Sequence, residues 1–325
     1  MTTFVVTTSY PASPGDPSGH FVRADARELV ERGERVMVVC PSTAPDAPNP
    51  DVAETVPERA GAPEPEVIRI PGGRAFGWPG TMARVRANPW NASGLVTFVD
   101  GARRVLASRT REGDRVIGHW VVPSLIPIAL GTTRGVAWEG VSHGADVRLL
   151  LALPMPLRVR VIRGLVRRTE AWRFVSGTLL DDLLRDLPAR DAESLRAVAH
   201  VAPSALGDLR VARPREGGDY VAVGRLVASK RFDAVVRHVA SRSASHRGNA
   251  APRLIVVGDG PERGSLEALA RSLGVDARFV GTLPRPEALG HMVAAKVLLH
   301  ASRVEGASTV LREAESLGVH VEFVP

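Results

Sequence analysis

The sequence lacks the features that would place it outside the cell or inside a membrane. Cys40 is the single cysteine, which excludes an intramolecular disulfide and predicts a buried, inert thiol. No stretch approaches the roughly 20 apolar residues that a membrane-spanning helix requires. The N-terminal MTTFVVTTSYP also lacks the basic residues and the long apolar run of a secretory signal. These absences predict a cytoplasmic protein.

Lysine and aromatic residues are scarce as well. Lys230 and Lys296 are the two lysines among 42 basic residues, and aromatic residues make up 5% of the chain. The net charge of +7 is uneven, because residues 101–173 contain 13 Arg and five acidic residues. This distribution predicts one basic face. No nucleic-acid-binding motif accompanies the arginines, so nucleic acid is not an expected partner.

The length and composition favour two domains over one. A chain of 325 residues with 44% hydrophobic residues can bury a large core, and this length exceeds that of a typical single domain. Pro, Gly and charged residues at 213–218 suit a linker better than a core element. We therefore expect an N-terminal domain over 1–213 and a C-terminal domain over 214–325.

The first half begins with a strand, a Gly-containing loop and a helix. TFVVTT predicts a strand, the helical pattern starts at Phe21, and RVMVVC predicts a second strand, which makes a βαβ unit. Gly19 lies close to the N-terminus of that helix, where a phosphate can bind. A turn that requires positive φ explains this glycine equally well. Residues 41–89 are rich in Pro and Gly and predict a long loop that contains one short apolar run, VIRI.

A histidine follows a predicted strand in the sequence WEGVSHGAD. The imidazole of His143 could hydrogen-bond a sugar hydroxyl or a phosphate oxygen, with Asp146 fixing its tautomer. The alternative is that both side chains cap the next helix. His119 and Trp120 follow the preceding strand in the same way.

Residues 157–173 predict a basic amphipathic helix. Val161, Ile162, Leu165 and Trp172 recur at helical spacing, opposite several arginines. Packing of the apolar side on the core with a solvated charged side is one interpretation. Docking of the charged side on an anionic membrane is the other, and it makes peripheral membrane contact a candidate property.

The second half repeats short β-branched runs that each end in a Gly-rich or charged turn. This pattern is typical of parallel strands whose carboxyl ends carry a ligand site. Arg225 and Lys230 follow the first run and bracket a helix N-terminus, where two cations could bind a diphosphate. Surface ion pairs are the plain alternative. Gly260 follows the second run, and its lack of a side chain would let a nucleotide approach the backbone.

The last runs add carboxylates to this predicted edge. Leu283 follows the third run and could pack on a base, although an ordinary turn explains it equally well. Glu305 and Glu313 follow the fourth run, with Ser308 and Thr309 between them at a helix start. Glu313 is predicted at the edge of the buried stripe with no cation beside it, so hydroxyl groups of a ligand would have to satisfy it.

Together, GRLVASK, VGDGP, GTLP, EGASTVLRE and the upstream SHGAD resemble the retaining family 4 glycosyltransferases of the GT-B fold, glycosyl transferases group 1. The resemblance covers roughly residues 3–318 and implies an α/β fold of two Rossmann-like domains facing each other across a cleft. It implies transfer of a sugar from a UDP- or GDP-sugar to an acceptor hydroxyl, without a metal ion or other cofactor. The acceptor could be a sugar, a lipid-linked molecule or another small molecule.

The resemblance also suggests roles for single residues. Arg225 and Lys230 resemble the diphosphate clamp, Glu305 the donor-sugar contact, Glu313 the ribose contact and His143 the histidine at the cleft between the domains. The family pattern continues well beyond the second glutamate, so the C-terminal domain is expected to be short and truncated. Two alternatives stay open: a non-catalytic sugar-nucleotide-binding scaffold protein, and a GT-B sugar-nucleotide epimerase.

Overall fold

The structure, a computed structural model, describes residues 1–13, 16, 18–42, 53–54, 63–77, 80–132, 134–213, 218–245, 251–302 and 308–325. The chain divides into two compact units, with the main division between Gly207 and Asp208. The predicted boundary at 213/214 lies six residues after this division. Residues 214–217, which follow it, are not among those described. None of the helices described is both long and apolar enough to cross a bilayer.

Unit 1 contains one sheet of mainly parallel strands. The strands are β1 Thr2–Val6, β2 Arg35–Ser42, β3 Ala53–Glu54, β4 Glu66–Pro71, β5 Arg115–His119, β6 Ala137–Ser142, β7 Ala171–Phe174 and β8 Ala199–Val201. Their order across the sheet is β3-β4-β2-β1-β5-β6-β7-β8, and only β3 runs antiparallel to its neighbour. The apolar runs FVV and VMVVC are buried because helices cover the parallel strands on both faces.

Helices connect the strands of unit 1. They are α1 His20–Glu31, α2 Thr81–Ala87, α3 Ser93–Arg109, α4 Val121–Gly131, α5 Ala145–Leu151, α6 Met155–Val166, α7 Gly177–Leu184 and α8 Ala189–Val198. The predicted loop over 41–89 is wrong where it includes VIRI, because these residues form the buried strand β4 beside β2. A run of four apolar or mixed residues inside a Pro-rich stretch gave too little periodicity to identify a core strand.

Unit 2 contains a sheet of five parallel strands. The strands are β9 Tyr220–Val223, β10 Leu254–Val257, β11 Ala277–Gly281, β12 Val297–His300 and β13 Val321–Phe323. The helices are α9 Phe232–Ser245, α10 Arg263–Ser272, α11 Arg285–Ala294 and α12 Thr309–Ser316. Two buried clusters cover the two faces of the sheet, and both contain apolar side chains of β9, β10 and β12. The predicted α/β class is therefore confirmed.

The helix predicted over 157–173 is wrong at its C-terminal end. α6 ends at Val166, and the last residues of the stretch begin β7. Trp172 is fully buried in that strand, and its Nε1 donates a 3.0 Å hydrogen bond to Ser142 Oγ. Its position in the sequence fits both a helical and a strand period. Pairing of this segment with β6 makes it a strand.

Several arginines of α6 are held by the protein itself. Arg158 is buried, and its Nε donates a 3.2 Å hydrogen bond to the carbonyl of Leu150 at the end of α5. Arg163 forms two hydrogen bonds with the Asp191 carboxylate on α8, of 2.5 and 2.9 Å. Arg158 is thus internal, whereas Arg163, although paired with Asp191, is exposed like Arg160.

Candidate functional site

The strand order of the sheet in unit 2 reverses at β9. β9 lies at the centre, with β10 on one side and β12 on the other, so the chain crosses over the sheet in opposite directions from this strand. In open parallel sheets such a switch point leaves a crevice at the carboxyl ends of the two strands, and ligands bind there. The segments that directly follow β9 and β12 therefore lie at one candidate site.

Arg225 and Lys230 both follow β9 at this edge. Arg225 is exposed directly after Gly224, and Lys230 is half-buried at the end of a short 3-10 turn. Arg231 has a φ of 53° and precedes the first residue of α9, so the lysine lies two residues before that helix. Both predicted cations therefore lie in the segment between β9 and α9, and Lys230 is close to the N-terminus of α9, where backbone amides add positive potential.

Gly258 and Gly260 follow β10, and the structure gives a reason for both that needs no ligand. A Cβ on Gly258 would lie 1.9 Å from the carbonyl oxygen of Gly224, and one on Gly260 would lie 2.3 Å from the carbonyl oxygen of Leu226. The Leu226 amide also donates a 2.9 Å hydrogen bond to the carbonyl of Asp259. These glycines let the loops after β9 and β10 pack together, and contact of Gly260 with a donor stays a prediction.

Ser308 and Thr309 form the start of α12 at the same edge, next along the sheet from β9. Ser308 is the N-cap residue, and its carbonyl accepts a 3.2 Å hydrogen bond from the Arg312 amide. The first amides of a helix have no partner within the helix, so this end can receive a phosphate. Glu305 lies outside the described residues, and its predicted contact with a donor sugar stays a prediction.

Glu313 is buried on α12, but the expectation that no cation lies beside it is wrong. Its side chain is 7% exposed, and Oε1 lies 2.8 Å from Arg285 Nε at the start of α11. Arg285 also donates from Nη1 to the carbonyl of Asp208. Burial of the carboxylate is therefore compensated by the protein. The contacts of this ion pair involve Oε1, and contact of Glu313 with a ribose stays a prediction.

Leu283 lies between β11 and α11 and is partly buried. Its side chain packs against the apolar cluster that contains Leu289 and Met292. Packing of Leu283 on a base and an ordinary turn both remain compatible with this position, because the residue is neither fully buried nor fully exposed.

In unit 1, His143 follows β6, and its ring contacts another histidine rather than the Asp146 carboxylate. The Asp146 carboxylate accepts from the backbone amides of His143, Gly144 and Val121, at 3.1, 3.1 and 3.0 Å. The prediction that Asp146 fixes the imidazole tautomer is wrong, since a helix-capping carboxylate satisfies amides first. His143 Nε2 instead lies 3.0 Å from His119 Nδ1, and the two rings stack. We call these residues the histidine pair.

Both members of the histidine pair are neutral near pH 7. Burial lowers the pKa of His119 and of His143 well below the usual value, and the neighbouring His119 lowers that of His143 further. The ring centroids of Phe21 and Trp120 lie 4.9 and 4.7 Å from that of His143. These aromatic rings pack beside the imidazole of His143, which stays partly exposed. As a neutral group it can exchange hydrogen bonds with hydroxyl groups.

Gly19 is the N-cap residue of α1 and has a φ of 66°. A Cβ at this position would lie 2.3 Å from the carbonyl oxygen of Ser9. Both features require glycine whether or not a phosphate binds, so the turn explanation is sufficient and the donor contact stays a prediction.

Two residues with structural roles at these sites were not identified from the sequence. Arg285 occurs in the sequence LPRPEAL, where a cation in the first turn of a helix opposes the helix dipole, and that was the available signal. Phe21 could have been noticed as a partly exposed aromatic residue at a helix start. Among the described residues no group of three or more His, Cys, Asp or Glu could hold a metal ion.

Comparison with known proteins finds similarity to glycosyltransferases in unit 2. Residues 211–321 match the family model described as glycosyl transferases group 1. The chain is also 30% identical over 172 residues to a 2-deoxystreptamine glucosyltransferase of Streptomyces kanamyceticus. That alignment covers 47% of this chain and 44% of the relative, so it spans less than half of either protein.

Solved structures extend the similarity in fold to nearly the whole chain. A sucrose-phosphate synthase of Thermosynechococcus elongatus superposes with a TM-score of 0.65 at 18% identity, covering 99% of this chain and 81% of that one. Alr3699/HepE of Anabaena, solved with UDP-glucose, gives 0.62 at 13% identity, covering 99% and 80%. The predicted GT-B fold is therefore confirmed for this chain, and its residues 211–321 are similar to the glycosyl transferases group 1 family. The retaining, family 4 part of the resemblance stays a prediction.

Proposed function

We propose that this chain is a retaining glycosyltransferase that transfers a sugar from a nucleoside-diphosphate sugar to an acceptor hydroxyl. The observation that carries the proposal is the carboxyl edge at β9 and β12. Two cations, the N-terminus of α12 and a buried carboxylate follow these two neighbouring strands. This set is complementary to a diphosphate joined to a ribose.

In this proposal the cations act on the leaving group. Negative charge grows on the diphosphate as its bond to the sugar breaks, and Arg225 and Lys230 stabilise that charge. The first amides of α12 hold a second phosphate oxygen. Glu313, fixed by Arg285, accepts hydrogen bonds from the ribose hydroxyls and orients the nucleotide.

Retention follows if attack and departure take place on the same face of the sugar. The bond from the anomeric carbon to the diphosphate oxygen breaks, and the acceptor oxygen bonds to the same carbon from the same side. The acceptor proton passes to the departing diphosphate oxygen. This reaction demands no protein nucleophile and no metal ion, and both absences are part of the proposal. His143, as a neutral imidazole, hydrogen-bonds a sugar hydroxyl in this scheme.

The donor and the acceptor are proposed by class. UDP- and GDP-sugars are the donor candidates, and the UDP-glucose complex of a structurally similar protein favours the first. The S. kanamyceticus relative, a 2-deoxystreptamine glucosyltransferase, favours a small-molecule acceptor over a lipid-linked one. Peripheral contact with an anionic membrane is retained as a proposal for the exposed arginines of α6. A cytoplasmic location likewise stays a prediction.

A donor screen tests the proposal directly. The full chain is incubated with UDP- and GDP-sugars, with and without a panel of hydroxylated acceptors, and release of the nucleoside diphosphate is measured. We expect release from one donor, faster with an acceptor, and a product with the anomeric configuration of that donor. Inverted configuration would contradict retention, and binding without release would favour the scaffold alternative.

A further inference from the structure

A small pocket in unit 1 contains charged residues where the fold calls for apolar ones. It lies between α1, β4 and the segment that follows β1, and its lining includes Tyr10, Arg23, Glu64 and Arg69. Arg69 occupies a position on β4 that faces the α1 side of the sheet, since its neighbour Ile70 contacts α3 on the other side. Parallel strands covered on both faces normally have apolar residues at such positions.

Arg69 is a buried cation without an anionic partner among the residues described. It is 9% exposed, donates a 2.6 Å hydrogen bond from Nη2 to the carbonyl of Pro11, and contacts Cys40 Sγ at 3.7 Å from Nη1. Burial raises the pKa of the Cys40 thiol to about 11, so this neighbour is neutral at pH 7. A buried guanidinium cannot release its proton, and desolvation without a counter-charge is costly.

The other charges of the pocket are already matched. Arg23 forms two hydrogen bonds with the Glu64 carboxylate, of 3.1 and 2.9 Å, and Arg27 Nε lies 3.8 Å from the same group. Two arginines therefore share this one carboxylate, which lies beyond ion-pair distance from Arg69. The charged residues of the lining are two arginines, Arg23 and Arg69, and one carboxylate, Glu64.

The hydroxyl of Tyr10 lies at the same pocket and has no hydrogen-bond partner among the described residues. The residue is 7% exposed, and a buried hydroxyl without a hydrogen-bond partner is unfavourable. Burial raises the pKa of Tyr10, so the phenol keeps its proton and can donate it in a hydrogen bond.

We propose that this pocket binds one anionic group of a small molecule, a phosphate or a carboxylate, with the Arg69 guanidinium as counter-charge and the Tyr10 hydroxyl as a hydrogen-bond donor. The anion would give Arg69 a counter-charge and give the Tyr10 hydroxyl a hydrogen-bond acceptor. The source of the anion is either a free ion or the charged group of an organic molecule. The inference does not rest on the proposed transfer reaction, because it concerns unit 1 alone.

The test measures stabilisation of unit 1 by inorganic phosphate. All five tryptophans of the chain precede residue 173, so the thermal transition in tryptophan fluorescence reports on unit 1. The background is the full chain with Arg225→Ala and Lys230→Ala, which removes the proposed anion site of unit 2. Phosphate is titrated against sodium chloride at constant ionic strength, and glycerol 3-phosphate and glycerol are compared in the same way.

We expect a saturable rise of the midpoint with phosphate in this background. Arg69→Met should weaken the response about ten- to a hundredfold, since a hydrogen bond to a charged group is lost. Arg35→Met is the matched control, because this exposed arginine of β2 pairs only with Glu66 among the described residues, and it should respond like the background. Tyr10→Phe keeps the apolar contacts and should weaken binding about tenfold without lowering the ligand-free midpoint.

Several outcomes would overturn the proposal. An equal midpoint rise in the background and in Arg69→Met would reduce the effect to the general stabilisation that phosphate salts give. Unchanged binding in Tyr10→Phe contradicts the second contact, and this variant decides if Arg69→Met does not fold. Tighter binding of glycerol 3-phosphate than of phosphate identifies an organic anion, and equal binding identifies a free ion. A response to glycerol alone would refute an anionic site.

Discussion

The ion pair between Arg285 and Glu313 offers the sharpest test of how the candidate site of unit 2 is built. Replacing Arg285 by Met leaves a carboxylate that is 7% exposed without its cation. Breaking a buried ion pair in this way costs about 3–5 kcal/mol, and the 16% exposure of the arginine favours the lower end, near 3 kcal/mol. We also expect weaker binding of UDP, because the carboxylate is no longer held in place.

Urea unfolding followed by two signals localises the effect. Circular dichroism reports on both units, whereas tryptophan fluorescence reports on unit 1, so only the first signal should change in Arg285→Met. Arg271→Met, at an exposed arginine of α10, is the control and should be nearly neutral. The double variant with Glu313→Met should recover much of the loss, since an apolar pair can replace a buried ion pair. An unfolding transition of Arg285→Met that matches the wild type would refute the reasoning.

Three further predictions follow from the geometry. Burial lowers the pKa values of the histidine pair, so the unfolded chain binds more protons than the folded chain below about pH 6.5, the ordinary pKa of histidine. Unit 1 should lose stability as the pH falls below that value, by about 1.4 kcal/mol per pH unit for the buried His119 and by less for the partly exposed His143. His143→Phe should reduce this slope in tryptophan-detected unfolding, and an unchanged slope would contradict it. Gly260→Ala should destabilise the chain by about 2 kcal/mol even without ligand, whereas Gly264→Ala, which meets no atom within 4 Å, should not; equal stability of the two variants would refute the loop-packing explanation. Vesicles rich in anionic lipid should sediment the protein at low salt, and replacing Arg160 and Arg167 by Gln should abolish this; failure to sediment would end the membrane proposal.

The strands and their turns could be predicted from the sequence because parallel sheets give strong signals. Runs such as YVAV and LIVV are short and continuous, and each is followed by glycine, so the class and the candidate edge followed from local pattern alone. The stretch around Trp172 failed for the opposite reason. Its spacing fits a helix, and only the neighbouring strand β6, with Ser142 as hydrogen-bond partner, makes it a strand.

Contacts between distant residues could not be predicted. Glu313 was expected to need a ligand, but Arg285 reaches it from another helix, 28 residues away in sequence. Asp146 was assigned to the His143 ring, but it satisfies backbone amides because these lie closer to it. Local spacing indicates which side chains share an edge, whereas the choice of partner within that edge depends on the packing of helices.

The central claim is that the edge formed after β9 and β12 binds a diphosphate, and calorimetric titration with UDP and with uridine tests it most directly. Arg225→Ala with Lys230→Ala should weaken UDP binding about a hundredfold or more, since two charge-assisted contacts are lost, and should leave uridine binding unchanged. The control is Arg237→Ala with Lys296→Ala, which removes the same charges from the exposed side of α9 and from the amino end of β12. Equal UDP affinity in the two double variants would contradict the account.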